Sequence, residues 1–230
     1  MSENWLILET SGRVARVGLA RGGEVVRAAE LDTPRRHARE MIPTVAAMLT
    51  AEALRPTDLT GIVVSRGPGS YTGLRVGLAT AKALAYATGC PLRAVDAFAA
   101  IAEQAPAEAQ HVWVIADALQ KQVYIQRFDR TPAGWVPFQE LRIGLVDECL
   151  NWLPAGVSVS GPGVAVYAES IPQSCVLVAE ADREARVESA FAVGLRLPPL
   201  TKEELFALEP LYLRGSSAEE KAKTERGTTE

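Results

Sequence analysis

One stretch limits this chain more than any other: residues 65–84, reading SRGPGSYTGLRVGLATAKAL. An apolar run over 62–64 stops at a loop with glycines at 67, 69 and 73, and a helix of small residues follows. Glycine tolerates positive φ and close approach of another backbone, while Pro68 stiffens the loop and removes a donor. Gly73, Gly77, Ala81 and Ala85 fall four apart and form one small-residue row, on which another helix can pack closely because the ridges are shallow. Spacing excludes three known loops. A P-loop needs G-x-x-x-x-G-K-[ST], and no such lysine pair follows these glycines. Thr72 stands where a dinucleotide loop has its third glycine. Pro68 stands two before Ser70, which breaks the nucleophile elbow G-x-S-x-G. What remains is a strand, a rigid loop and a helix N-terminus. That geometry suits an anion, and it equally suits a tight strand-to-helix connection.

The flanking chain supplies an α/β pattern. Apolar runs at 5–9, 14–20 and 25–31, separated by short glycine turns, predict an antiparallel meander. Asp32-Thr33-Pro34 is a helix-start signal. Ala38, Met41, Ile42, Val45, Met48 and Leu49 then recur at helical spacing, with Pro43 requiring a kink or a later start. Arg35, Arg36 and Arg39 read as a solvated face or as a contact for an acidic partner or RNA. Strands at 61–65 and 91–95 bracket a helix at 72–88. A linking helix at 96–104 leads to a boundary near 105–110. Strands at 111–116, 122–128 and 135–143 repeat the meander, followed by a short helix at 146–153, strands at 157–160 and 176–178, and a helix at 183–197. The order is three strands, helix, strand, helix, strand, given once and then again in shortened form. That order resembles the ribonuclease-H-like fold of the actin and Hsp70 ATPase superfamily. It divides the chain into 1–104, a smaller degenerate 105–214, and a polar tail over 215–230 expected to be disordered. Leu211 to Leu213, with Tyr212, are expected to dock back on the body.

The signature residues Ser65, Arg66, Gly67, Pro68, Gly69, Ser70, Tyr71, Thr72, Gly73 and Arg75 resemble the TsaB (YeaZ) family. Three further places fit: LILETS at 6–11, HAREMIP at 37–43 and PLYLR at 210–214. The resemblance covers most of residues 4–100. It implies a bacterial subunit, acting in the cytoplasm, in the synthesis of N6-threonylcarbamoyladenosine on tRNA. It further implies a TsaD-type catalytic partner, a TsaE-type ATPase partner, a homodimer when the chain is alone, and tRNA contact only through the complex.

Composition agrees with a core-forming chain and limits its partners. The 230 residues are 48% hydrophobic and 23% charged, with a formal net charge of −4. An acidic chain is a poor stand-alone RNA binder, because phosphate neutralisation supplies most non-specific affinity. Cys90, Cys149 and Cys175 are far apart and form no C-x-x-C, so neither a zinc knuckle nor a thioredoxin-type pair is present. The start MSENWLILETS lacks the basic and long apolar regions of a signal peptide. No run approaches the roughly 18–20 apolar residues that cross a bilayer.

The chemistry-bearing candidates are few. By resemblance to the superfamily, Glu9, Thr10, Ser11 and Gly12 occupy the phosphate-binding first turn, with Glu where Asp often stands. They could hold a nucleotide weakly or in a composite site, or simply close a hairpin. Asp117 begins DALQKQVY, similar to the family's D-A-R-x-x-x-V-Y, with Leu119 in place of arginine. The related catalytic subunit pairs histidines at H-x-x-x-H on one helix face. Here only His37 and His111 exist, and Met41 stands four after His37. No metal and no catalytic residue is therefore expected. Methionine adapts to irregular surfaces. The expected partner interface accordingly comprises Met41, Val45 and Met48 on the first helix, with Leu74, Gly77, Ala81 and Ala85 on the second; the alternative is that both faces simply cover their own sheet. The rival expectations are an actin-like ATPase or phosphotransferase acting alone and, more remotely, a protease.

Overall fold

The structure, a computed structural model, describes residues 3–31 and 34–211, with the backbone alone at 34–38. The start signal Asp32-Thr33, the side chains of Arg35, Arg36 and His37, and everything from Tyr212 onward lie outside the described residues. The first half runs β1 (Asn4–Glu9), β2 (Ala15–Arg21), β3 (Glu24–Leu31), α1 (Pro34–Ala51), β4 (Gly61–Gly67), α2 (Tyr71–Thr88), β5 (Leu92–Asp96) and α3 (Ala97–Ala102). The rest runs β6 (His111–Asp117), β7 (Gln122–Thr131), β8 (Gly134–Pro137), β9 (Arg142–Leu145), α4 (Val146–Leu150), β10 (Ser158–Ser160), α5 (Gly163–Tyr167), β11 (Val176–Leu177), α6 (Val187–Arg196) and α7 (Lys202–Ala207).

The first sheet has the order β3-β2-β1-β4-β5, antiparallel through the meander and parallel from β1 to β5. The second has the order β11-β10-β6-β7-β8 and repeats the scheme, with β9 also pairing β7. These are two ribonuclease-H-like subdomains, the second cut short. Its α4 and α5 have five residues each, against 18 each in α1 and α2.

Strand alternation sorts the core into layers, because successive side chains leave opposite faces of a sheet. Leu6, Leu8, Ile62 and Val64 face α1 and α2. Trp5, Ile7 and Val63 face the other way, onto a central layer of α3 and α6 that also receives Val112, Val114 and Phe128 of the second sheet. Trp113, Ile115, Val123 and Ile125 face α4 and α5. In the central layer Phe191 packs on Trp5 with ring centroids 6.0 Å apart. Burying one such aromatic side chain contributes about 1.5–3 kcal/mol. Gly18 is needed here, since a methyl group in its place would run into Val187 of α6. Thus α6, which follows the second meander in sequence, packs against the first sheet.

Helix α1 starts at Pro34 and continues past Pro43, so the later start does not occur. Three details differ from the sequence expectation. The strand expected over 135–143 is two, because β8 pairs with residues 128–131 of β7 and β9 with residues 122–125, leaving 138–141 to loop outward. The helix expected from 183 starts at Val187, after a single turn at Glu180–Asp182. Helix α7 has no counterpart in the sequence reading, although Thr201 and Glu204 form a capping box at its start. Of the apolar end expected to dock, Leu211 does so through its N–H, which donates to the Arg66 carbonyl at 2.7 Å.

Candidate functional site

The glycine loop joins β4 to α2 over the end of β1. Gly67 takes φ +113°, in the region that favours glycine, and the following Gly67–Pro68 peptide is cis. The Ser70 hydroxyl caps α2 by accepting from the Gly73 N–H at 3.2 Å, and the Ser70 N–H donates to the Ser11 carbonyl at 2.7 Å. The Ser65 hydroxyl accepts from the Thr10 N–H at 3.0 Å. A methyl group at Gly69 would collide with the Ser11 carbonyl, one at Gly73 with the Thr10 carbonyl, and one at Gly77 with the Thr10 side chain. The spacing of these glycines is therefore explained by contact with the first turn. What approaches Gly73 and Gly77 is the end of a strand, and no second helix is involved.

That contact bears on the nucleotide expectation for Glu9, Thr10, Ser11 and Gly12, and it favours the alternative in which they close a hairpin. Glu9 is 1% exposed and Thr10 is fully buried. Neither has surface to offer a phosphate. One Glu9 carboxylate oxygen accepts from the Ser11 N–H at 2.8 Å and from the Ser11 hydroxyl at 2.5 Å. The other, and the Thr10 hydroxyl, have no partner among the described residues. Burial pushes the Glu9 carboxyl up, with the Ser11 bonds opposing it. Gly12 sits under the Glu184 carboxylate, which Arg16 holds at 3.1 Å. The first turn is a closed packing junction.

The residues expected at the interface are placed inward, as in the alternative where the helices cover their own sheet. Met41, Val45, Met48, Leu74, Gly77, Ala81 and Ala85 are all buried within this chain, packed over their own sheet. An amphipathic helix turns its largest apolar stripe to its own core. The outward faces carry other residues. On α1 these are Arg39, Ile42, Pro43, Ala46, Ala47, Thr50 and Ala51. On α2 they are Ala79, Ala83, Tyr86 and Ala87, with Tyr71, Thr72 and Arg75 at its start. Ile42 is 52% exposed and Tyr86 73%. The two helices lie side by side, so together they form one surface of mainly small and apolar residues, with Arg39 and Arg75 on it. The sequence signal for it is a second row, Ala79, Ala83 and Ala87, again four apart. Of the signature loop, Ser65, Gly67, Pro68 and Gly73 are buried, whereas Gly69, Tyr71, Thr72 and Arg75 are exposed. The Arg75 guanidinium lies over the Tyr71 ring at 4.4 Å.

Comparison with known proteins bears on this geometry. Residues 31–133 match the family model of TsaD, tRNA N6-adenosine threonylcarbamoyltransferase. The TsaB protein named for tRNA threonylcarbamoyladenosine biosynthesis in Bacillus subtilis is 33% identical over 52% of this chain and 52% of its own length. Its Escherichia coli counterpart is 31% identical over 56% of each. A solved Pseudomonas aeruginosa protein, described as uncharacterized with similarity to peptidase YEAZ, superposes with a TM-score of 0.78 at 25% identity, covering 92% of this chain and 100% of that one. These likenesses support the TsaB (YeaZ) family. The chain spans about half the length of the curated TsaB relatives it matches.

Against the TsaB motifs, the second half is altered. Asp117 accepts from the Leu119 N–H at 2.8 Å and from the Tyr167 hydroxyl at 2.5 Å. Burial, and then Asp117 itself, push the Tyr167 phenol up to about 12. Leu119, where the TsaB motif has arginine, is exposed and brings no charge. Leu119, Gln120 and Lys121 take φ values of +63°, +49° and +60°, three consecutive left-handed residues without a glycine. His111 is exposed, with Nδ1 at 2.8 Å from Asp129. Among the described residues no group of three or more His, Cys, Asp or Glu is placed to hold a metal ion, and no helix is long and apolar enough to cross a membrane.

Proposed function

We propose that this protein is the non-catalytic, TsaB-type subunit of the assembly that makes N6-threonylcarbamoyladenosine in tRNA. In this reading it supports a TsaD-type catalytic subunit by pairing with it through the outward faces of α1 and α2. The observation that carries the proposal is that surface: two neighbouring 18-residue helices on which alanine is the commonest exposed residue among the described side chains, with Ile42 and Tyr86 as large apolar groups and Arg39 and Arg75 as charged ones. Helix pairs approach to 8–10 Å depending on the side chains between them, and alanine favours the short end. The transferase family model spans both helices, so a similar pair on the partner would complete a four-helix packing. A second copy would close the same surface when the chain is alone. A TsaE-type ATPase and tRNA would join through the complex, as suits a chain of net charge −4. A stand-alone ATPase reading is weakened by the burial of Glu9 and Thr10.

Reconstitution tests this. Threonylcarbamoyl transfer to tRNA by the catalytic partner should depend on this chain, and the chain alone should be inert. Transfer at full rate without it, or with an Ala83→Glu variant that no longer binds the partner, would overturn the proposal.

A further inference from the structure

Two cavities on the described surface bear on ligand binding. One, of about 360 Å³, lies between β3 and the start of α6. Its arginines are spent, Arg16 on Glu30 and Glu184, and Arg186 on Asp182. The other, of about 580 Å³, lies where the two halves meet, within the 300–1,000 Å³ typical of small-molecule sites. Its floor is Arg66 and Asp96, at the carboxyl ends of the neighbouring parallel strands β4 and β5. Open α/β sheets bind ligands at such ends. Its far wall is the loop between β8 and β9.

The groups facing this cleft are unevenly satisfied. Arg66 Nε donates to Asp96 Oδ1 at 2.6 Å. The two terminal nitrogens of the guanidinium have no partner among the described residues, and the side chain is 41% exposed. Gln126 donates to the Gln139 backbone carbonyl at 3.0 Å and so fixes the loop. The Gln139 side-chain nitrogen is buried with nothing to donate to among the described residues. A buried unmet donor is uncommon in a native fold, and here it belongs to a cavity wall. Glu140 adds a carboxylate, and Leu141 and Leu211 add apolar contact.

The charges decide between ligand classes. One guanidinium against two carboxylates gives the wall a net negative charge, which disfavours a nucleotide triphosphate. A ligand that carries both signs fits: a carboxylate against the Arg66 fork and the Gln139 amide, an ammonium against Asp96 and Glu140, and an aliphatic part against the leucines. We propose that this cleft is a binding site for a free α-amino acid. The proposal stands apart from the pairing surface on α1 and α2 and survives if that surface is misassigned.

The test is titration of the full-length protein, by calorimetry and by NMR, with the natural amino acids, their N-acetyl and carboxamide derivatives, and ATP. At least one free amino acid should bind, and blocking either end should weaken it about tenfold or more, the scale of one charge-assisted bond. Arg66→Met should do the same. Glu140→Gln, a loop change that leaves the fold intact, should weaken the free amino acid and not its N-acetyl form. Absence of binding by every amino acid at millimolar concentration, equal binding of blocked forms, or tighter binding of ATP would each overturn the assignment.

Discussion

Gly77 lies against Thr10 so closely that even a methyl group on it would overlap the threonine side chain. Thr10 is fully buried, its backbone N–H is tied to Ser65, and its neighbour Ser11 is tied to Ser70. The strand end therefore has no direction in which to yield. Gly77→Ala should destabilise the isolated chain by about 1–3 kcal/mol, the usual cost of overpacking. That corresponds to a loss of roughly 2–12 °C in melting temperature for a chain of this size. Thermal unfolding of the purified variant checks it, and an unchanged melting temperature would mean that the helix can slide off the turn.

The opposite face of the same helix should behave in the opposite way. Ala83 is on the outward face of α2, where a larger side chain can extend into solvent. Ala83→Glu should leave stability within about 0.5 kcal/mol, as surface changes usually do, while abolishing self-association and partner binding by placing a charge in an apolar contact. Analytical ultracentrifugation of the variant, alone and with the catalytic partner, separates the two effects. Association that survives both Ala83→Glu and Ile42→Glu would remove α1 and α2 from the interface.

These two residues also mark how far the sequence can be read. Short glycine turns between apolar runs make the meander and its shortened repeat legible, because turn chemistry is local. The small-residue row is legible as a place of close approach. Which body approaches it is not, because periodicity gives a helix its faces but does not say which one meets the sheet. Pattern alone leaves the side of Met41 and Met48 open for that reason, and both turn inward. Glu9 and Thr10 are legible as members of the first turn. Their burial depends on Gly69 and Gly73, about 60 residues later in the chain, and no local pattern encodes that. The position of α6 against the first sheet is likewise a long-range outcome, visible in the fit of Gly18 to Val187 and of Phe191 to Trp5.

The turn after Asp117 stores strain that a substitution can release. Leu119, Gln120 and Lys121 are all left-handed, a conformation that costs an ordinary residue roughly 1–2 kcal/mol and that asparagine tolerates better. Gln120 is exposed, so its side chain can be changed without loss of packing. Gln120→Asn should raise stability by about 0.5–1 kcal/mol. Gln120→Val, β-branched and intolerant of positive φ, should lower it. Denaturant unfolding of the pair checks the order, and a valine variant as stable as the asparagine one would show that the turn relaxes elsewhere.

Glu9 gives the fold a pH dependence with a definite sign. Burial raises its pKa in the folded state above the ordinary 4.5, so between those two values the folded chain holds a proton that the unfolded chain has lost. Its contribution to stability is complete below 4.5 and declines as pH rises toward the folded value. The substitution Glu9→Gln keeps an oxygen for the Ser11 donors and removes the ionisation. The variant should therefore match the parent at about pH 4 and gain on it as the pH rises, by about 1.4 kcal/mol per pH unit until the folded carboxyl ionises. Urea unfolding of both proteins from about pH 4 to 8 measures the difference across the range where the proton is lost. Curves that stay parallel throughout would mean that Glu9 ionises as a free glutamate does, and that the closed first turn admits water after all.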